Sequence, residues 1–242
     1  MKKLLMVAAV VILVLLIVVV GVLGYYGFAP GVSSLLGANK PKDLGVSYTE
    51  QHLQSARAKL GQQFMTLPQG TSAAQSRQYS GQKSINASFT QEELTALVND
   101  QRWAYHPVTD AQVRINPDGT VEFSGKLLID RLDGFGQSIR LSQQEQSYAQ
   151  DFLKFVKTDP AIYAKGSLTV VNNQLDLNVT EAKVGRLDVP VDDVTDDPSY
   201  MNEVAQRARA SVTGLSVTSL NFQGGQMNLN ASIPATESVL PP

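Results

Sequence analysis

Residues 89–125, FTQEELTALVNDQRWAYHPVTDAQVRINPDGTVEFSG, decide how this chain is read. Phe89-Thr90-Gln91-Glu92-Glu93-Leu94 is a helix start. Thr90 and Glu93 have the spacing to cap each other's backbone N–H, and Phe89 and Leu94 the spacing of a hydrophobic staple. Leu94, Leu97 and Val98 then lie on one apolar face. Beyond Pro107 the period changes from helical to alternating: Val113 and Ile115 before Asn116-Pro117-Asp118-Gly119, Val121 and Phe123 after it. Proline pre-sets the φ angle of such a turn and glycine accepts a positive one, so the stretch predicts a helix followed by a hairpin.

The unit recurs. Ser142 and Glu145 predict a second capped helix with Tyr148, Phe152, Phe155 and Val156 on one side, ending near Asp159-Pro160. Leu168, Val170, the Asn172-Asn173 turn, Leu175, Leu177 and Val179 then predict a hairpin, its second arm running on through Gly185 to Val191. Asp197-Pro198 opens a third helix, with Met201, Val204, Ala205, Ala208 and Val212 inward. A third hairpin turns at Gly224-Gly225, between Leu220/Phe222 and Met227/Leu229/Ala231/Ile233. The change of parity between Val217 and Leu220 predicts a bulge near Thr218-Ser219. Upstream, Ser47 and Glu50 suggest a capping box for a helix carrying Leu53, Ala56, Leu60 and Phe64. A hairpin with one apolar face is not stable alone. The reading is therefore an α+β domain: one antiparallel sheet of about six strands or more, packed on about three to four helices.

Outward from the domain, Leu4–Leu23 contains no charge. At about 1.5 Å per residue it reaches across the roughly 30 Å hydrocarbon core of a bilayer. Lys2 and Lys3 precede it, which predicts a cytoplasmic N-terminus and an exported C-terminal domain. Gly24-Tyr25-Tyr26-Gly27 is a poor signal-peptidase site, and residues 4–25 read as an uncleaved signal-anchor in contact with the lipid bilayer. The organisation expected is a cytoplasmic start at 1–3, anchor at 4–25, spacer at 26–45, domain at 46–236 with a polar exposed loop at 65–84, and a tail at 237–242.

At FTQEELTALVN (89–99) and AQVRINPDGTVEFSG (111–125) the chain resembles the YpmS-like proteins, membrane-anchored proteins of Gram-positive bacteria with uncharacterised function. That resemblance implies an exported α+β domain on a bacterial cytoplasmic membrane, akin to lipid-binding folds built from curved sheets, and brings no catalytic residues with it.

Several chemistries are narrowed by composition. The chain has no cysteine, which excludes disulfides, thiolate metal sites and cysteine nucleophiles. Its formal net charge of −2, with no basic stripe, argues against nucleic acid as a partner. The two histidines, His52 and His106, lack metal-ligand spacing, and no G-x-S-x-G is present. No cofactor is implied. Asp192, Asp193, Asp196 and Asp197, with Asp188, form the sharpest acidic cluster, a calcium candidate set against helix capping and a solvated loop. Trp103 and Tyr105 beside a helix end, and Phe135 between two glycines on a flexible loop, are candidates for a ligand groove or membrane contact. Three functions are carried forward. The leading one is a non-enzymatic domain binding a lipid, amphiphile or envelope component. The others are an assembly partner of an envelope protein complex and a carboxylate-dependent envelope hydrolase.

Overall fold

The computed structural model describes residues 31–35, 37–142, 158–189, 206 and 209–242. The expected anchor, the helix from Ser142, most of the helix from Asp197, and the four candidate aspartates lie outside these residues. Among the described residues no helix is long and apolar enough to cross a membrane.

In chain order the elements are α1 (Val32–Leu35), α2 (Glu50–Leu60), β1 (Gln63–Thr66), β2 (Arg77–Ser80), β3 (Lys83–Thr90), α3 (Gln91–Val98), β4 (Val108–Ile115), β5 (Val121–Leu127), α4 (Leu132–Ser138), β6 (Ala161–Val171), β7 (Gln174–Val184), β8 (Leu187–Asp188), β9 (Ser216–Gln223), β10 (Gln226–Ile233) and β11 (Thr236–Val239). The fold is mostly β, a correction to the expected α+β domain. An eight-stranded sheet, built around the order β3-β10-β9-β6-β5-β4 with β7 paired to β6 and β8 to β7, curls into a half-barrel. A second sheet of three strands has the order β1-β11-β2.

The three predicted hairpins are present, as β4–β5, β6–β7 and β9–β10. Their turns follow from residue type: Asn172 and Asn173 have φ of 50° and 65°, and Gly224 and Gly225 of 62° and 73°, the left-handed pair that a two-residue hairpin loop needs. The expected bulge is also found. Asn230 pairs with Ser219 and Ala231 with Val217, leaving Thr218 as the extra residue. It has a use: the Asn172 N–H donates to the Thr218 carbonyl at 2.9 Å and the Asn173 N–H to that of Val217 at 2.8 Å, seating the β6–β7 turn on β9.

The capping box at α3 forms as predicted. The Glu93 N–H donates to Thr90 Oγ1 at 3.3 Å, and the Thr90 N–H to Glu93 Oε2 at 2.9 Å. Phe89 and Leu94 both enter the main core cluster with Ala56, Val113 and Ile115. Helix α2 starts two residues later than its predicted box: Thr49 is the N-cap, and its N–H donates to His52 Nδ1 at 3.1 Å.

Three stretches differ from expectation. The predicted loop at 65–84 contains half of β1, all of β2 and the first residues of β3, and the predicted tail contains most of β11, the middle strand of the small sheet. Their inward positions include Phe64, Tyr79 and the buried Glu237, whose carboxylate accepts a hydrogen bond from Arg77 Nε. A strand with an ion pair on its inner face carries no apolar alternation. The predicted spacer is held from Ala38 onward. Leu44 and Val46 pack on Tyr163, and their N–H groups donate to Gln112 Oε1 at 2.7 and 3.4 Å. Lys42 pairs with Glu122 at 3.1 Å, which also accepts from Tyr163 Oη at 2.7 Å. By strand parity, Gln112, Glu122 and Tyr163 occupy one face of the large sheet, and the main core occupies the other.

Candidate functional site

The inner face of the large sheet is a continuous apolar stripe. Register links Ile115 and Val113 to Val121 and Phe123, these to Gly166 and Ala164, and Gly166, Leu168 and Val170 to Val179, Leu177 and Leu175. Val170 opposes Leu220, which opposes Leu229, which opposes Ala87. One half of the stripe is roofed by α2 and α3: Phe89 is fully buried, and Val113, Ile115 and Ile85 nearly so. The roof also closes an edge. Gln91 Oε1, Thr95 Oγ1 and Asn99 Oδ1, four residues apart on α3 and its C-cap, accept the N–H groups of Ile115, Val113 and Ala111 on β4 at 3.3, 3.0 and 2.9 Å. Alternate N–H groups of an edge strand point outward, and the helical i, i+4 spacing meets their spacing along the strand.

The other half is built differently. β7 pairs along one side of β6 over residues 162–171, whereas the opposite side pairs with β5 at 161–166 and with β9 at 170–171. The sheet forks there, and residues 167–169 have no ladder partner on that side among the described residues. At the fork lies an apolar cavity of ≈ 190 Å³ whose walls include Phe123, Leu168, Leu177, Val179 and Phe222. Gly166 also lines it, and a Cβ there would collide with the backbone of Asn178 and Val179. A second apolar cavity, ≈ 420 Å³, is bounded by Val170, Leu175, Val212, Leu215, Val217 and the side chain of Arg209. Leu168, Val170, Leu175, Leu177 and Val179 are all only half-buried. The hairpin pattern located most of these walls. Arg209 and Leu215 carried no signal of their own in the sequence; an arginine in a helical stretch ordinarily reads as part of a solvated face.

The three aromatic candidates come together, on the far side of α3's C-terminus. Trp103 is buried, with its indole N–H donating to Ser76 Oγ at 3.1 Å. Its ring meets Tyr105 edge-on at 6.2 Å and Phe135 at 6.0 Å between centroids. Phe135 sits in helix α4 and not on a flexible loop; Gly134 is required because a Cβ there would overlap the Tyr105 ring. The cluster borders a polar cleft of ≈ 240 Å³. There Asp100 is shared by Arg57, at 2.9 and 3.0 Å, and Arg102, at 2.8 and 2.9 Å, and Arg102 lies 3.4 Å over the Phe64 ring. Burial, with Arg77 and Arg131 nearby, holds the His106 imidazole below its ordinary range even though Nε2 lies 2.6 Å from the Val98 carbonyl. Burial pushes the Tyr79 hydroxyl up to about 12. Both carboxylates lining this cleft, Asp100 and Glu237, are engaged by arginines, and the arrangement ties the small sheet to α2 and α3.

Among the described residues no group of three or more His, Asp or Glu side chains could hold a metal. Asp188 is exposed and paired with Lys183 at 2.9 Å. No family model matches the chain, and neither a curated protein nor a solved structure does.

Proposed function

We propose that this domain binds a lipid or another amphiphile on the open half of its half-barrel, beside a membrane to which residues 4–25 anchor it. The observation that carries this reading is the half-buried apolar stripe of β6, β7 and β9 with its two apolar cavities, the larger ≈ 420 Å³. That volume falls in the roughly 300–1,000 Å³ range of small-molecule sites, which are mostly apolar with few polar groups. Apolar surface left open gains about 25 cal/mol per Å² when an acyl chain covers it.

The test is photocrosslinking of the full chain in membranes, with a photoreactive phenylalanine analogue at Leu177. Val171, exposed on the opposite face of the sheet, is the control position. A lipid-mass adduct at 177 and none at 171 is the expected result. Adducts at 177 that join only residues of this chain would sink the reading. One observation favours a second reading, addition of a partner's strand: the outer edge of β7 pairs with β8 through Lys183 and Val184, and the Ala182 carbonyl accepts the Val189 N–H, leaving 174–181 without a ladder partner there among the described residues. A protein adduct recovered stoichiometrically from 177 would select that partner.

A further inference from the structure

Resting on the amphiphile reading above, we infer that the ligand is an anionic acyl-chain amphiphile with a negatively charged head, and that Arg209 is the residue that recognises the head. Arg209 lines the ≈ 420 Å³ cavity, whose other walls are largely the apolar side chains of Val170, Leu175, Val212, Leu215 and Val217. Its Nε is buried, and it has no hydrogen-bond partner among the described residues. A guanidinium keeps its charge at any physiological pH, so burial cannot be relieved by losing a proton. A buried donor without an acceptor, on a permanent cation, leaves its desolvation uncompensated.

Other arginines of the molecule show the contrast. Arg57 and Arg102 share Asp100, and Arg77 is held by Glu237. Arg209 Nε alone among the buried side-chain nitrogens of the described residues is unmet. An oxyanion supplies what is missing: a carboxylate or phosphodiester accepts charge-assisted hydrogen bonds from a guanidinium in a paired geometry. The rest of the cavity fits the chain attached to that oxyanion. Among the described residues, Asn173 and Gln206 are the only other polar ones lining it. Asn173 is already engaged, its Oδ1 accepting the Val217 N–H at 2.7 Å and its Nδ2 donating to Ser216 Oγ at 3.2 Å. The charge of Arg209 is thus the cavity's main means of choosing among amphiphiles. A neutral amphiphile would gain the apolar contacts and leave that charge unmet, whereas an anionic one would gain both.

The experiment uses the full chain in phosphatidylcholine nanodiscs and three diazirine-bearing probes of matched chain length: a fatty acid, a phosphatidylglycerol and a fatty alcohol. Labelled peptides are mapped by mass spectrometry, with Arg209→Gln and Arg209→Lys beside the unaltered protein. The acid, the phosphatidylglycerol or both should label the β6–β7 hairpin at least about ten-fold more than the alcohol, the stronger probe identifying the source of the oxyanion. Arg209→Gln should reduce that labelling to the alcohol's level, and Arg209→Lys should retain part of it. In the absence of probe, Arg209→Gln should melt no lower than the unaltered protein, because it removes a buried Nε donor that has no acceptor; a clear fall in melting temperature would mark a structural role and count against recognition. Equal labelling by all three probes, unchanged in Arg209→Gln, would overturn head recognition while leaving amphiphile binding in place. Absence of labelling by any probe would overturn both.

Discussion

The two halves of the apolar stripe start from the same sequence pattern and end differently. Around Phe89, Val113 and Ile115 the alternating hairpins are roofed by α2 and α3 and reach the burial of a solid core. Around Leu168, Leu175 and Leu177 the alternation is at least as regular, yet those side chains stay half-exposed beside open cavities. Period-2 alternation therefore specifies only that a face is available. What covers it depends on the neighbouring connection, and the link from β3 to β4 supplies a helix whose polar side is matched to a strand edge. Thr95 is the middle of that match, fully buried and bonded to Val113.

The largest effect that separates the halves should come from Phe89→Ala. Deleting a fully buried aromatic side chain from a packed cluster costs about 3–5 kcal/mol, and urea unfolding should show it. Next is Thr95→Val, which keeps the shape and leaves the Val113 N–H without an acceptor. Such a loss costs about 1–3 kcal/mol, and amide exchange at Val113 should accelerate. A wild-type midpoint in this variant would mean that the roof holds by apolar contact alone.

The roof should also be acid-sensitive. Burial raises the Glu93 pKa, but hydrogen bonds from Lys59 at 2.6 Å, Ser55 at 2.6 Å and the Thr90 N–H outweigh it, and the carboxylate stays below its ordinary 4.5. A depressed folded pKa means that the unfolded chain binds the proton first. The stability this group contributes is therefore complete above about pH 4.5 and is lost as pH falls through the folded value. Glu93→Gln should flatten that part of the stability–pH curve, at a loss of about 1.5–3 kcal/mol near neutrality. A curve of unchanged shape would place the acid sensitivity elsewhere, with Glu122 next in line because Tyr163, Lys42 and Asn116 offset its burial in the same way.

Much of this arrangement was legible where backbone chemistry is local. Asn116-Pro117-Asp118-Gly119, Asn172-Asn173 and Gly224-Gly225 announced their turns, Thr90 and Glu93 their cap, and the parity slip its bulge. Illegible features were those whose meaning lies across the fold. β1, β2 and β11 bury an arginine-bound glutamate where alternation calls for an apolar residue. Gly134 and Gly136 mimicked a flexible loop, although Gly134 answers to the ring of Tyr105, about thirty residues away. Gln91, Thr95 and Asn99 had helical spacing in plain view, but a polar helix face ordinarily meets water, and only the structure sets it against the edge of β4. The same holds for Trp103 and Phe135: the residues were singled out, while their contact with each other was not.

The smallest effect on stability should belong to Leu177→Ala, and its smallness is informative. A half-buried leucine has only part of the roughly 1.5–3 kcal/mol of full burial to lose, so about 1 kcal/mol is expected. If Leu177 served only to build a core, ligand should change nothing. If the open half is a binding surface, a bound amphiphile stabilises the folded state in proportion to the logarithm of its concentration over Kd. The unaltered protein in nanodiscs should then gain melting temperature on titration with oleate, and Leu177→Ala should gain measurably less, although the two begin nearly level. Phe89→Ala should behave in the opposite sense, beginning far lower and retaining most of the oleate-dependent gain, since its side chain faces α2 and α3 and lines neither cavity. Crossing of these two responses would separate a surface kept open for a ligand from a core that is merely incomplete.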